Sequence, residues 1–326
     1  MKASKQVIVI LLLSAFLACA AVYQAQAQSV DSAQAAVHDA YKALLEASDA
    51  GGDVTELTEQ LNSALNLIAQ SESLAVSDPS ESQRLATQAQ DIANSVTAQA
   101  PSIKDAGTAQ TQTSTLILAG SVAALIITGI IVYVFGQKAM WKIWLKLRSN
   151  YSVATKPAAT AQKKEPILTS KTISAAFLVI VIVVALFAVS QAYLQQGTTE
   201  TFSEFGILGP NMNLGDYPSV VVAGETVNLY GYVGNQMGKP MNYIVMVKLG
   251  NNETTIDPAP IDAIQQYEQI VPKNGTWIFP LNVTLTQAGL NQRLIFELWI
   301  YNETINQNQY HSRWGQLWLN VTSPAT

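Results

Sequence analysis

Two uncharged apolar runs lie in the middle of the chain, at residues 116–135 and 173–194. A helix needs about 20 apolar residues, at about 1.5 Å each, to cross a hydrocarbon core of about 30 Å. The pattern therefore predicts two transmembrane helices, at 115–136 and 172–194. Because neither run contains an ionisable side chain, this interpretation is favoured over a pair of buried helices in a soluble domain.

Both apolar runs carry small residues at helical spacing. These are Gly120, Ala124 and Thr128 in the first run, and Ala185, Ala188 and Ala192 in the second. Small faces let helix backbones approach closely in lipid, which would pair the two spans. The alternative is that they reflect only the ordinary composition of membrane helices.

The segment between the spans, 137–171, is basic: eight Lys or Arg side chains face one acid, Glu165. Short loops rich in these residues stay in the cytoplasm, which places both flanking regions outside. Its first part alternates cations and tryptophans at helical spacing, which predicts a helix in the lipid headgroup layer. The residues of this predicted surface anchor are Lys138, Trp141, Lys142, Trp144 and Lys146. The lipid bilayer, rather than nucleic acid, is the expected partner. The remainder, 149–170, is typical of a flexible linker.

The N-terminus has the pattern of a secretory signal peptide over residues 1–27. Lys2 and Lys5 precede an apolar run, and Ala25-Gln26-Ala27 is a small-x-small cleavage site. Lipidation at Cys19 and an uncleaved anchor are the alternatives, and each places residue 28 outside. Cys19 is also the only cysteine, so a chain cleaved after Ala27 has neither disulfides nor thiol catalysis.

Residues 28–100 have apolar positions at helical spacing and predict an extracellular three-helix bundle. Start signals mark the second helix at Asp53 and the third at Asp78-Pro79. The three apolar stripes comprise Val30, Ala33, Val37, Tyr41, Leu44, Leu45; Leu57, Leu61, Ala64, Leu65, Ile68; and Leu85, Ala89, Ile92, Val96. The bundle is either an assembly module or a self-contained spacer. His38 is predicted to be a surface residue rather than a ligand. Residues 101–114 are predicted to form a polar stalk.

Residues 195–326 switch to alternating β-branched and aromatic positions between Gly, Asn and Pro, which predicts an extracellular immunoglobulin-like β-sandwich. The predicted strands are 202–208, 219–222, 227–233, 242–249, 266–271, 276–285, 293–301 and 315–321. On the last two strands, alternation places Leu294, Phe296, Leu298, Ile300, Leu317, Leu319 and Val321 in the core. It turns Glu297, Trp299 and Tyr301 to the opposite, outward face. The predicted fold class is thus a membrane protein of helices and strands.

Five glycosylation sequons cluster in this last region, which independently supports its external position. Their acceptors are Asn252, Asn274, Asn282, Asn302 and Asn320. The alternation puts Asn282 and Asn320 on the outward phase of their strands. A sixth sequon, at Asn150, lies in the predicted cytoplasmic loop and is expected to stay unmodified.

The start of the sandwich also carries a family resemblance. The run 202–211, then Asp216-Tyr217-Pro218, then 222–225 and 227–235 resemble the C-terminal region of archaeal membrane proteins catalogued as a domain of unknown function. The resemblance covers about residues 171–321. It implies an archaeal envelope protein with an exterior immunoglobulin-like domain and supplies no catalytic residue. Gln236 stands where the family commonly has a charged residue.

Motifs for common chemistry are missing from the sequence. The chain has two histidines, His38 and His311, in different predicted domains, and no phosphate-binding loop or nucleophile elbow. Asp257 and Asp262 could hold calcium, but a solvated turn is the more ordinary interpretation. We expect no enzyme activity, cofactor or metal.

The best candidate for function is an aromatic patch, which would contact an envelope protein or a glycan. Its residues are Trp299, Tyr301, Trp314 and Trp318. The alternative is that these rings cover the sandwich edge.

The acidic exterior segments, with 12 acidic and three basic side chains in 28–114, argue against nucleic acid as a partner. The sequence predicts a non-enzymatic envelope scaffold or adhesion module. The alternative is an accessory or sensor subunit that signals through the basic loop. The oligomeric state is not predicted.

Overall fold

The structure is a computed structural model that describes residues 29–149, with side chains to 131, and residues 179–187, 190 and 200–324. The helices are α1 at 29–49, α2 at Thr55–Leu74, α3 at Pro79–Ser149 and α4 at 179–187. The strands are β1 (Phe202–Leu208), β2 (Val220–Val222), β3 (Thr226–Gln236), β4 (Met241–Gly250), β5 (Ala263–Val271), β6 (Thr276–Thr284), β7 (Gly289–Asn302) and β8 (Gln307–Thr322). The predicted signal peptide, the linker from residue 150 and the side chains of the predicted surface anchor lie outside this description.

The described residues fall into two compact units. The first contains α1, α2, α3 as far as Ala109, and all of the strands; the second contains the described residues from Gln110 to Thr198. The helical and β regions, predicted as separate modules, therefore share one unit.

The predicted apolar stripes form the core of the helical part. Tyr41, Leu44, Leu57 and Leu61 are among its fully buried side chains, and Val30 and Ile92 pack against them partly exposed. The predicted start of α3 is confirmed, because the Asp78 carboxylate accepts a hydrogen bond from the Glu81 N–H at 3.1 Å.

Helix α3 does not end where the sequence placed the stalk. It continues through Pro101, although proline normally interrupts a helix by removing one backbone hydrogen bond. Ala100 is buried and Ile103 packs on the bundle core, so tertiary contacts support the helix on both sides of the proline. The predicted stalk, 101–114, is helical throughout.

Two glycines let α3 pass close to the turn between α1 and α2. A Cβ added at Gly107 would clash with the backbone nitrogen of Gly52. Lys104 adds an ion pair with Glu46 at 2.8 Å on the same side. Residues 101–109 therefore belong to the bundle rather than to a free connector.

In the second unit, the apolar side chains of α3 are largely exposed; Leu116, for example, is 72% exposed. Among the described residues, one helix is long and apolar enough to cross a membrane, and it lies within Pro79–Ile131. The second predicted span is described as helical at 179–187, and its ends lie outside the described residues.

Helices α3 and α4 are neighbours within this second unit. An apolar groove of about 310 Å³ is lined by residues of both helices: Val122, Ile126, Ile130, Val181, Ile182, Ala185 and Leu186. Ala185 is buried, whereas Gly120, Ala124 and Thr128 are exposed. Within the described residues the helices lie side by side, and Gly120, Ala124 and Thr128 are not among the side chains that line this groove. Ala188 and Ala192 of the second predicted span lie outside the described residues.

The strands form a three-stranded sheet, ordered β1-β3-β6, and a five-stranded sheet, ordered β2-β8-β7-β4-β5. Pairing is antiparallel except between β2 and β8. This grouping is that of an immunoglobulin-like sandwich. All eight predicted strands are present.

The predicted core face of the sandwich is confirmed. Leu294, Phe296 and Leu298 are fully buried, Leu319 and Val321 nearly so, and Ile300 and Leu317 pack against them. The opposite face of the five-stranded sheet is only partly open to solvent, because Ile295 and Glu297 on β7 are also fully buried. The helical core includes Ile270 and Tyr301 of this outer face, and Ala259 of the segment 251–262 bonds to Lys248 and Glu297. The helices and this segment therefore cover part of the outer face.

Candidate binding groove

Tyr41 joins the bundle to the sandwich. Its hydroxyl donates to the Pro240 carbonyl and accepts from the Asn242 N–H, each at 3.1 Å. Burial raises the pKa of Tyr41, so the phenol remains a donor across the physiological range. The side chain therefore bonds to one backbone carbonyl and one backbone N–H at the start of β4.

Asn62 makes a second joint on α2. Its Nδ2 donates to the Ile270 carbonyl and its Oδ1 accepts from the Ile270 N–H, both at 2.8 Å. Ile270 lies on β5, one of the two edge strands of the five-stranded sheet. The Asn62 amide thus occupies the position that another strand's backbone would take.

The third joint corrects two predictions about side-chain exposure. Tyr301 is 3% exposed, and its ring stacks on His38 at a centroid distance of 3.8 Å. His38 is therefore half-buried in this joint rather than on the surface, and Tyr301 is not part of an exposed patch. Burial lowers the pKa of His38, with Lys42 adding to this effect.

A groove of about 440 Å³ lies beside these joints, between the helices and strands β5 and β6. Its lining combines polar side chains with apolar and aromatic ones: Gln34, Leu65, Asn66, Ile68, Ala69, Glu72, Gln266, Tyr267, Glu268, Gln269, Trp277, Phe279 and Pro280. This volume lies in the range of ligand sites.

Strands β5 and β6 border the groove with the outer edges of two different sheets. The β6 edge is obstructed: Pro280 has no N–H, and the Asn282 N–H donates to the Tyr267 hydroxyl at 3.2 Å. On β5, alternate residues turn their backbone groups to the same side. Since Asn62 takes both groups of Ile270, those of Glu268 and Gln266 face the groove.

Two carboxylates give the groove its charge. Burial raises the pKa of Glu268, and the neighbouring charge of Glu72 raises it further, against a hydrogen bond from Asn242. The pKa of Glu72 is also raised, by burial and then by Asp31. Among the lining residues, all of which are described, none is basic.

A buried ion pair lies elsewhere on the outer face of the five-stranded sheet. Lys248 and Glu297 are 2.8 Å apart, and both side chains are nearly inaccessible. Lys248 also donates to the Ala259 carbonyl, and the Ala259 N–H donates to Glu297. The pair thus fastens the segment 251–262 to the sheet and accounts for the buried Glu297 that alternation placed outward.

One serine–histidine contact was missed from the sequence, because the residues are 108 positions apart. His311 Nε2 lies 2.8 Å from Ser203 Oγ, which also bonds the Tyr243 hydroxyl. Ser203 is 2% exposed. Burial raises the pKa of Tyr243 to about 12. The arrangement fits a buried polar cluster that holds β1, β4 and β8 together, since a nucleophile needs access to substrate.

The predicted aromatic patch is only partly on the surface. Trp314 is 38% and Trp318 is 43% exposed, and the Arg293 guanidinium lies 5.1 Å from the Trp318 ring centre. Trp299 is half-buried and donates to Glu297 at 3.0 Å. The four rings therefore do not form one exposed surface.

The sequon acceptors differ in accessibility. Asn252, Asn274 and Asn282 are exposed. Asn302 and Asn320 are half-buried, and each accepts a backbone hydrogen bond, from Thr304 and Asn291 respectively.

Groups of three or more metal-ligating side chains are not found among the described residues. Asp257 instead accepts a hydrogen bond from the Tyr310 hydroxyl at 2.6 Å.

Asn62 and His38, which join the helices to the sandwich, could be recognised in the sequence only as polar residues beside apolar stripes.

Comparison with known proteins gives one family match. A family model described as "Domain of unknown function (DUF1616)" matches residues 196–320. This match confirms that the resemblance noted between 202 and 235 is to a domain of unknown function. The match begins beyond the second predicted span. No curated protein matches the chain.

Two solved structures illustrate the structural similarities. The CARDB domain of a Pyrococcus furiosus protein, in complex with di-metal ions, is 16% identical; the match covers 39% of this chain and 100% of that chain, with a TM-score of 0.27. A β-glucosidase from Listeria innocua, in complex with isofagomine, is 10% identical, with coverage of 39% and 17% and a TM-score of 0.27. This chain therefore spans a small part of that β-glucosidase.

Proposed function

We propose that this protein is a non-enzymatic, membrane-anchored binding or scaffold protein of an archaeal cell envelope. In this proposal, the bundle and sandwich face outward as one binding unit, and the loop 137–171 lies in the cytoplasm. The partner is another envelope protein. The observation that carries the proposal is the triple joint made by Tyr41, Asn62 and Tyr301.

The joint supports a binding role because it fixes the bundle against the sandwich and so preserves the groove between them. A preformed groove binds its partner without the entropy cost of ordering two modules. The burial of Ser203 beside His311 supports a role without catalysis.

The proposed membrane topology is supported by the apolar segment of α3 and by the distribution of charge. Protease added to intact cells tests it. We expect cleavage in the exterior unit and none at Lys163-Lys164 until the cells are permeabilised. Cleavage at Lys163-Lys164 in intact cells would show that the orientation is the reverse of the one proposed.

Cross-linking in native membranes, followed by purification in mild detergent, tests the binding role. We expect one defined partner at constant stoichiometry. The test variant is Tyr41→Ala, which weakens the joint. Its matched control is Tyr230→Ala on strand β3. A reduced yield of the partner with Tyr41→Ala alone supports the proposal, whereas a chain that recovers no partner in any form contradicts it.

A second candidate, an accessory or sensor subunit, is favoured by the continuity of α3 from Pro79 to Ser149. An uninterrupted helix can transmit a rotation or shift to its far end. Deletion of 150–170 distinguishes the two roles: a scaffold retains its function after the deletion, and a sensor loses it.

A further inference from the structure

We propose that the groove between α2 and strand β5 binds an extended peptide segment, in which basic residues alternate with apolar ones, as an added strand on β5. This inference rests on the proposed binding function and names the chemistry of the partner.

The backbone of β5 provides the first part of the argument. Strand β5 pairs on one side with β4, and within the described chain no strand pairs on its other side. Asn62 already bonds both backbone groups of Ile270, as an added strand would. The same edge continues into the groove at Glu268 and Gln266. An extended peptide that pairs with such an edge gains main-chain hydrogen bonds.

The opposite wall is unsuitable for strand addition, which selects β5. At β6 the backbone donor at position 280 is missing, because the residue is proline, and that of Asn282 is bonded to Tyr267. The Tyr267–Asn282 bond also ties the two strands together. The groove therefore offers one strand edge and one wall of side chains.

Side-chain alternation gives the sequence pattern of the peptide. Glu268 points to the outer face of the sheet, since it bonds the side chain of Asn242 on that face. Tyr267 points to the other side, where it packs against Phe279 at 5.0 Å between ring centres. A strand beside β5 thus meets carboxylates with one set of its residues and aromatic rings with the next.

Charge complementarity makes the first set basic. Glu268 is half-buried, and Glu72 stands at the groove rim without a basic residue among the lining side chains. A Lys or Arg side chain relieves the repulsion between the two carboxylates and supplies charge-assisted hydrogen bonds. An acidic or neutral peptide leaves that repulsion in place.

The test uses the full chain in detergent micelles and three labelled peptides, with binding measured by fluorescence anisotropy. They are acetyl-Thr-Lys-Val-Lys-Val-Thr-amide, its composition-matched isomer Thr-Lys-Lys-Val-Val-Thr, and Thr-Glu-Val-Glu-Val-Thr. We expect the alternating lysine peptide to bind about tenfold more tightly than either of the others. Equal affinities for the three peptides, or no binding of the first, would overturn the proposal.

Protein variants place the binding in the groove. The double variant Glu72→Gln, Glu268→Gln should weaken the alternating lysine peptide about tenfold. Glu59→Gln, on the same helix but outside the groove lining, should leave it unchanged. Melting temperatures confirm that each variant is folded. Equal binding by the two variants would place the peptide elsewhere.

Hydrogen exchange provides a readout independent of charge. Bound peptide should slow exchange of the Gln266 and Glu268 amides, and a peptide methylated on alternate backbone nitrogens should not. Unchanged exchange at both amides excludes strand addition. If the peptide fails while cross-linking still recovers a partner, the groove inference falls and the proposed binding function stands.

Discussion

Asn62 on α2 and Ile270 on β5 are joined by two hydrogen bonds of 2.8 Å, one in each direction. A side-chain amide carries the same donor and acceptor as a peptide bond, so Asn62 satisfies the edge of the sheet at that residue. The helix thereby protects one end of an otherwise open strand edge.

Replacing Asn62 with Ala removes both bonds. We expect the free energy of unfolding to fall by about 1–3 kcal/mol, because the buried groups of Ile270 lose their partners. The Ile270 amide should also exchange faster. Urea unfolding and hydrogen exchange measure the two effects. Asn66→Ala, one turn along α2, is the control, and an equal loss in both variants would contradict the assigned role.

Lys248→Met should destabilise the chain by about 3–5 kcal/mol, because it leaves the Glu297 carboxylate buried without its cation. Lys239→Met breaks the more exposed pair with Glu303 and should cost at most about 1 kcal/mol. Urea unfolding provides the comparison. Limited proteolysis should also cut the segment 251–262 faster in the Lys248 variant. Similar losses for the two lysines would refute the structural role of the buried pair.

The two histidines should make stability depend on pH. Burial lowers the pKa of both His38 and His311, so the folded chain binds their protons less readily than the unfolded chain. Their contribution is present above the ordinary histidine pKa of about 6.5 and is lost as the pH falls through that value toward the folded pKa.

We therefore expect the melting temperature to fall between pH 7 and pH 5 by more in the wild type than in the double variant His38→Phe, His311→Gln. Phenylalanine preserves a ring against Tyr301, and glutamine preserves a hydrogen-bonding group near Ser203. The raised pKa values of Glu72 and Glu268 act in the opposite sense in both proteins and cancel in the comparison. Identical pH dependence would show that neither histidine matters.

Glycan occupancy should follow exposure and topology. In a host with N-glycosylation, mass spectrometry should find the highest occupancy at Asn252, Asn274 and Asn282, and less at the half-buried Asn302 and Asn320. Thr284→Ala, which destroys the Asn282 sequon, is the site-specific control. A glycan on Asn150 would contradict the cytoplasmic assignment of the loop.

The strands were predictable because one face of the sandwich core is apolar along each strand. Leu294, Phe296 and Leu298 show that alternation in the sequence and in the fold. The same alternation placed Glu297 outward correctly, but it could not show that a distant lysine and a covering segment bury the carboxylate. Which outer face is covered depends on tertiary contacts rather than on local period.

The end of the bundle and the groove were beyond the local pattern for related reasons. Pro101 signals a helix end locally, yet the packing of Ala100 and Ile103 keeps α3 continuous. The groove depends on how α2 lies against β5, to which the Asn62 amide contributes, and nothing in either segment alone reveals that arrangement. Tyr301 is not part of the predicted patch because it points outward from the sandwich alone but is buried once the helices pack against the sandwich.

The proline in strand β6 affects how copies of this chain associate with one another. In the proposed anchored state, copies diffuse laterally in one membrane, and their high local concentration favours pairing between unpaired strand edges. Pro280 removes a backbone donor from the edge of β6, so of the two strands that border the groove only β5 can accept a strand from a neighbouring copy. Overexpression should therefore promote pairing between copies through β5 rather than through β6.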